Sequence, residues 1–245
     1  MSSRIRLIPL VLASLGLAVA VVALADGHNT SSHRAGDSRL HSAQAAAQVH
    51  QRARRVAEHP ARHLRAARSS GSLPQTRARP PAGGAALAAR MGDLWRAVQS
   101  GSLAVAVPAF FPRGAYIQLK AIPSASSDWQ GRLLHDFGLD IRAAHALLGQ
   151  HASDARFVSL DVPESYAHWV PPGVCFNSIG YYEVPNARVL YRAGGHIRSF
   201  GVASMISWRG AWYVVHLGAI LRSGDTGMVD EPSAGRGVSR YSGTC

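Results

Sequence analysis

Three two-residue turn signals punctuate the last third of the chain: Pro185-Asn186, Gly194-Gly195 and Arg209-Gly210. They separate runs rich in Val, Ile, Tyr, Phe and Trp, the pattern of successive antiparallel hairpins. A two-residue loop sets strand register, and register decides which side chains share a face. The spacing predicts strands over 174–184, 187–193, 196–208 and 211–221, with Glu183 opposite Arg188, Arg188 opposite Gly201, and Gly201 opposite Gly218. In that register Tyr182, Val189, Tyr191, Phe200, Trp208 and Tyr213 share one face, where the core should lie. Tyr181, Glu183, Arg188, Ser199, Trp212 and His216 share the other, which should be partly wet.

Ahead of the meander the apolar spacing changes to three and four. Leu87, Met91, Leu94, Trp95 and Val98 form the stripe of an amphipathic helix. Ser100-Gly101-Ser102 ends it and opens a second short helix running to Phe110-Phe111-Pro112. Ala115–Ile122 reads as a strand, Asp128 as the N-cap of a long helix, and Phe157–Val162 as another strand. On the long helix Asp136 and Asp140 stand one turn apart, with Arg132 one turn before Asp136, the pattern of a solvated, ion-paired face. The expected fold is α+β: helices packed on a curved antiparallel sheet over residues 86–225, followed by a tail over 226–245.

The remaining segments bear on location. Arg4 and Arg6 precede 19 uncharged residues, Leu7–Ala25, which end in Ala23-Leu24-Ala25 before Asp26. This is the layout of a signal peptide, and the run is also long enough for a retained membrane anchor. In both cases everything after residue 25 faces outward. An oxidising exterior favours one bond between Cys175 and Cys245, with free thiols or an intermolecular bond as the alternatives. Two cysteines exclude a disulfide miniprotein and a four-cysteine zinc site.

Charge has little to say about the domain. The formal net charge is +12, from 26 basic and 14 acidic residues, and Lys120 is the only lysine. Residues 26–85 carry ten arginines against Asp26, Asp37 and Glu58, in a stretch poor in large apolar side chains. Such a segment reads as a disordered spacer, either a solvated stalk or a tether to anionic lipid or wall polymer. Nucleic acid is not expected as a partner, because export and the lack of interleaved aromatics both oppose it. Of six histidines in the spacer, His59 and His63 have the i,i+4 spacing of a chelating pair, but Pro60 between them and the lack of carboxylates beyond Glu58 oppose it, so neither metal nor cofactor is expected.

The helix–Ser-Gly–helix–Phe-Phe-Pro–Ala-Tyr opening (Leu94–Tyr116), with the later Ser207-Trp208-Arg209-Gly210-Ala211-Trp212-Tyr213-Val214-Val215, resembles the nuclear-transport-factor-two-like cones. These include SnoaL-like enzymes and the outward domains of actinobacterial Mce-associated proteins. The resemblance spans about residues 86–222. It implies a cone whose members bind small molecules or partner proteins, with acid–base groups of the enzymes on the face towards the helices. It also implies pairing of two copies through the outer sheet face, here around Trp212 and Met205.

The predicted core face brings no Asp, Glu or His inside. Tyr182, Tyr191, Phe200, Trp208 and Tyr213 there would either line a pocket for an apolar ligand or simply pack the core. On the other face, Glu183, Arg188 and His216 form either a polar site for an anionic group or an ordinary cross-strand ion pair. No catalytic motif is present, and a single lysine argues against lysine chemistry. The reading is a tethered, non-catalytic domain that binds a protein or small apolar ligand. A SnoaL-like isomerase or cyclase acting on a small apolar substrate is the alternative.

Overall fold

The computed structural model describes Gln48 and residues 71–240 other than 220 and 223. The expectations for the first 25 residues, for most of the spacer and for Cys245 lie outside these residues.

Helix α1 (Ala85–Ser100) ends where Gly101 adopts a left-handed conformation at φ 65°, as its sequence signal requires. A short α2 (Leu103–Ala106) and a 3-10 turn (Val107–Ala109) then deliver Phe110 and Phe111 to the core. The next segment departs from expectation. Arg113–Leu119 is a helix, α3, and not a strand. Pro112 precedes its first turn, and the buried residues Ala115, Tyr116 and Leu119 recur at helical rather than alternating spacing. Helix α4 (Ala125–Asp128) starts after Ser124, three residues before the expected cap. It passes through a π turn, Trp129–Leu133, into α5 (Leu134–Leu148).

The sheet is six-stranded and antiparallel, built on one long hairpin. Strands β3 (Tyr181–Ala193) and β4 (His196–Trp208) are 13 residues each. Strands β1 (Arg156–Asp161) and β2 (His168–Val170) share one edge, both paired with β3. Strands β5 (Ala211–His216) and β6 (Asp230–Ala234) share the other, both paired with β4. Two of the three turn signals act as expected. Gly194-Gly195 (φ 56° and 79°) and Arg209-Gly210 (φ 52° and 71°) have the paired positive φ of tight hairpins.

Pro185-Asn186 does not turn; β3 runs through it. It lies level with the gap between β2 and β1, where a missing ladder hydrogen bond is tolerated. Because the strand is continuous, Tyr182 and Val189 fall on opposite faces. Tyr181 and Glu183 take the helix side that the hairpin reading assigned to Tyr182, and Glu183 pairs with Ile206 rather than Arg188. The Arg188–Gly201 pair is as expected. A second irregularity lies between β4 and β5: Met205 faces Val214, but Ser204 faces His216, so β5 carries one extra residue. That bulge turns His216 to the helix side as well. Gly201 consequently pairs with Asp230 of β6 and not with Gly218.

The core lies between the helices and this sheet face. Phe110 stacks on Phe137 at 4.5 Å, while Phe111 meets Trp208 and Tyr213 edge-on at 6.1 and 6.0 Å. Much of the opposite face is covered as well: Val184, Met205 and Trp212 are buried, while Arg192 is exposed. Residues 75–79, inside the stretch expected to be spacer, contact the fold: Gln75 Nε2 donates to the Ser207 carbonyl at 3.0 Å, and the Arg77 guanidinium lies 4.7 Å over the Trp169 ring.

Residues 226–240 are also more than a tail. Arg188 donates to the carbonyls of Glu231 and Arg236 at 2.6 and 2.9 Å, and to Ser199 and Ser233. Asp136 and Asp140 are buried, not solvated. Asp140 accepts from the backbone N–H groups of Leu217, Gly218 and Met228 and pairs with Arg222 at 2.8 Å. Arg132 pairs with Asp128 instead of Asp136.

Candidate functional site

A cavity of about 120 Å³ opens between the helices and the sheet, at the end of the hairpin nearest β2. Tyr116 and Lys120, from α3 and the residue after it, and Arg132, from the π turn, contribute its helix wall. Tyr181, Glu183, Ser204 and His216 contribute the sheet wall, with Leu119, Leu133, Ile206 and Val215 between them.

Local structure explains each wall. Trp129 Nε1 donates to the Phe111 carbonyl at 2.9 Å, which seats the π turn on the core. The extra residue in that turn brings Arg132 and Leu133 round to the cavity, a recurrent use of π turns. Arg132 grips both oxygens of Asp128, at 2.7 and 2.6 Å, and donates to the Tyr116 hydroxyl at 3.1 Å. The Tyr116 hydroxyl in turn donates to Asp128. Lys120 is held from the far side. Its ammonium donates to the Cys175 carbonyl at 2.9 Å, and Ala121 N–H to the Phe176 carbonyl at 2.8 Å.

The sheet wall is less satisfied. Ser204 Oγ donates to Glu183 Oε1 at 3.3 Å, and His168 Nε2 lies 3.8 Å from Glu183 Oε2. Glu183 Oε2 and His216 Nδ1 are both buried without a hydrogen-bond partner. Leaving such an atom unpaired costs about 1–3 kcal/mol.

Burial dominates the electrostatics. It raises the Glu183 carboxyl above the usual range, against weaker pulls from His168, Ser204 and Lys120. It pushes His216 down to about 3, helped by the positive charges of Arg222, Arg132 and Lys120, so the imidazole is neutral at pH 7. Burial also lowers Lys120, with Arg132 adding to the effect. The Tyr181 hydroxyl is raised by burial and then by Glu183, and stays protonated. The arrangement therefore gathers a carboxyl raised by burial, a neutral imidazole and a lysine lowered by burial around one small volume.

The sequence-predicted residues separate into two groups. Glu183 and His216 meet in this cavity, on the face opposite to the one expected. Arg188 does not join them; it is spent on the carbonyls of residues 231 and 236 across the sheet. Tyr191, Phe200, Trp208 and Tyr213 fill the core, with Trp95 packed on Tyr191 at 5.5 Å. Tyr182 lies on the outer face, its ring 5.1 Å from that of Trp169. Cys175 is disulfide-bonded; its expected partner, Cys245, is outside the described residues. Tyr116, Lys120, Arg132, Tyr181 and Ser204 were not anticipated. Of these only Arg132 carried a local signal, its i,i+4 spacing from Asp128.

Among the described residues no group of three or more His, Cys, Asp or Glu side chains is placed to hold a metal ion, and no helix is long and apolar enough to cross a membrane. Comparison with known proteins finds no matching family model, no matching curated protein and no matching solved structure.

Proposed function

We propose that this chain is an extracytoplasmic, tethered domain that binds a small polar molecule in the cavity between α3 and the sheet. The observation that carries the reading is the pair of buried atoms without a hydrogen-bond partner, Glu183 Oε2 and His216 Nδ1, on one wall of that cavity. A ligand with one donor and one acceptor recovers the roughly 1–3 kcal/mol lost at each. A polar ligand replaces the apolar one expected from sequence, because the apolar face is packed solid. Helices against an open antiparallel sheet are compatible with the cone of the nuclear-transport-factor-two-like proteins, and acid–base groups inside the cone match the position used by enzymes of that superfamily.

Location rests on two supports: the basic-start, apolar-run, Ala-x-Ala layout of residues 1–25, and Cys175 in a disulfide, which suits an oxidising compartment. The basic stretch of residues 26–85 would then meet an anionic membrane or wall surface. A second reading is an acid–base enzyme of SnoaL type. It is favoured by one observation, that burial displaces Glu183 and His216 in opposite directions on the wall of one cavity, raising the acid and keeping the imidazole neutral.

The test is a titration of ¹⁵N-labelled protein with acetamide and with acetate, following the backbone amides of Glu183, Ser204 and His216. Saturable shifts at these three, lost when Glu183 and His216 are both replaced by Leu, are expected. Unchanged spectra in the wild-type protein would overturn the reading.

A further inference from the structure

We infer that Lys120 is a nucleophilic amine that captures a compact aldehyde or ketone as an imine inside this cavity. The inference rests on the reading of the cavity as a ligand pocket and adds a covalent step to it.

The placement of the chain's only lysine carries it. Lys120 lies on the helix wall, partly buried, with Arg132 on the same wall and Glu183 and His216 facing it across the cavity. The hydrogen bond to the Cys175 carbonyl at 2.9 Å occupies one N–H and leaves the others open. A cation beside the amine and partial burial both disfavour the ammonium form, the arrangement that activates lysine towards carbonyl carbon. Lys120 and Glu183 are close enough to influence each other's titration, and burial raises the Glu183 carboxyl, which favours its protonated form. This carboxyl and the amine line the same cavity, and they are the pair of groups that imine formation requires.

The step balances. The Nζ lone pair attacks the carbonyl carbon, a C–N bond forms, and the carbonyl oxygen takes up the proton that the nitrogen gives up. The hydroxyl of this carbinolamine then receives the Glu183 proton and leaves as water while the nitrogen pair closes the C=N bond. The products are a protonated imine, one water and an ionised Glu183 beside it, so the new positive charge is paired where it forms. Size sets the substrate class. The cavity of about 120 Å³, closed in by Leu119, Leu133, Ile206 and Val215, suits a compact carbonyl compound.

The experiment treats the full chain with pyruvate, and separately with acetone, in the presence of cyanoborohydride, and maps the reduced adduct by peptide mass. Apart from the α-amino group, Lys120 is the only primary amine, so the site is unambiguous. Labelling at residue 120 is expected about tenfold or more faster in the folded protein than in the urea-unfolded chain, as orientation by a pocket requires. It should vanish in Lys120→Arg, which keeps the charge and the bond to Cys175, and slow several-fold in Glu183→Gln. Equal labelling rates in the folded and unfolded chains overturn the imine step. If acetamide still shifts the Glu183, Ser204 and His216 amides in that case, the pocket reading survives alone; if it does not, both fall.

Discussion

Ser204 stands directly across from His216, one residue out of the register that the Arg209-Gly210 turn imposes on the rest of the β4–β5 pair. The slip turns the imidazole inward, beside the carboxyl that Ser204 Oγ touches. The slip places His216 where burial and the nearby positive charges of Arg222, Arg132 and Lys120 keep it neutral.

His216 makes stability depend on pH in acid. The folded-state value, about 3, lies below the ordinary 6.5, so the unfolded chain binds the proton first. The stabilisation is present above pH 6.5 and lost as pH falls towards 3, at up to about 1.4 kcal/mol per pH unit for one proton. In His216→Gln, urea midpoints measured across this window should lose that slope. A slope identical to wild type would contradict the burial argument.

Glu183 acts in the opposite direction. A carboxyl raised by burial contributes stability below its unfolded value, and that contribution is lost as pH rises through the folded value. Glu183→Gln should therefore stabilise the protein at neutral pH by about 1–3 kcal/mol, while acetamide binding weakens. Loss of stability in this variant would mark Glu183 as a structural partner of His168.

Phe200 and Trp208 test whether the apolar face is core or pocket. Phe200→Ala should cost about 3–5 kcal/mol in denaturant unfolding, with acetamide and acetate shifts unchanged in the folded fraction. A cost below about 1 kcal/mol would reveal free space that the packing does not show.

Asp140→Asn should break the anchor of the loop after β5. The substitution leaves Arg222 without its nearest carboxylate partner, for a cost of about 3–5 kcal/mol. Hydrogen exchange should rise first at Leu217, Gly218 and Met228, whose N–H groups point at Asp140. Protection unchanged at those three amides would refute the anchoring role.

Much of the fold was legible where the chain states its own geometry. Gly101, Gly194-Gly195 and Arg209-Gly210 require left-handed backbone and mark a helix end and two turns. Periodicity identified α1, α5 and β1 for the same reason. Pro185-Asn186 misled because its composition is that of a turn, while only the neighbouring strands reveal that it occupies a gap in one edge. That misreading inverted residues 181–184 and hid the site, since Glu183 looked solvated and the inner face looked purely apolar; 174–176, expected in the same strand, form a 3-10 turn. The bulge at His216 has no local signature, and Lys120 reaches the cavity through α3, which the sequence presents as a strand. The candidate site thus lay at the two places where pairing with distant residues, and not local preference, decides which way a side chain faces.

The anchoring of Arg188 has a consequence for the order in which the protein is made. Its guanidinium is satisfied by carbonyls of residues 231 and 236, and the edge of β4 around Gly201 is closed by β6. A growing chain that has reached only His216 already contains the β3–β4 hairpin, yet its outer face still presents an uncapped cation and an open strand edge. This edge of the sheet therefore closes only when residues 230–236 are present to pair with β4 and cap Arg188.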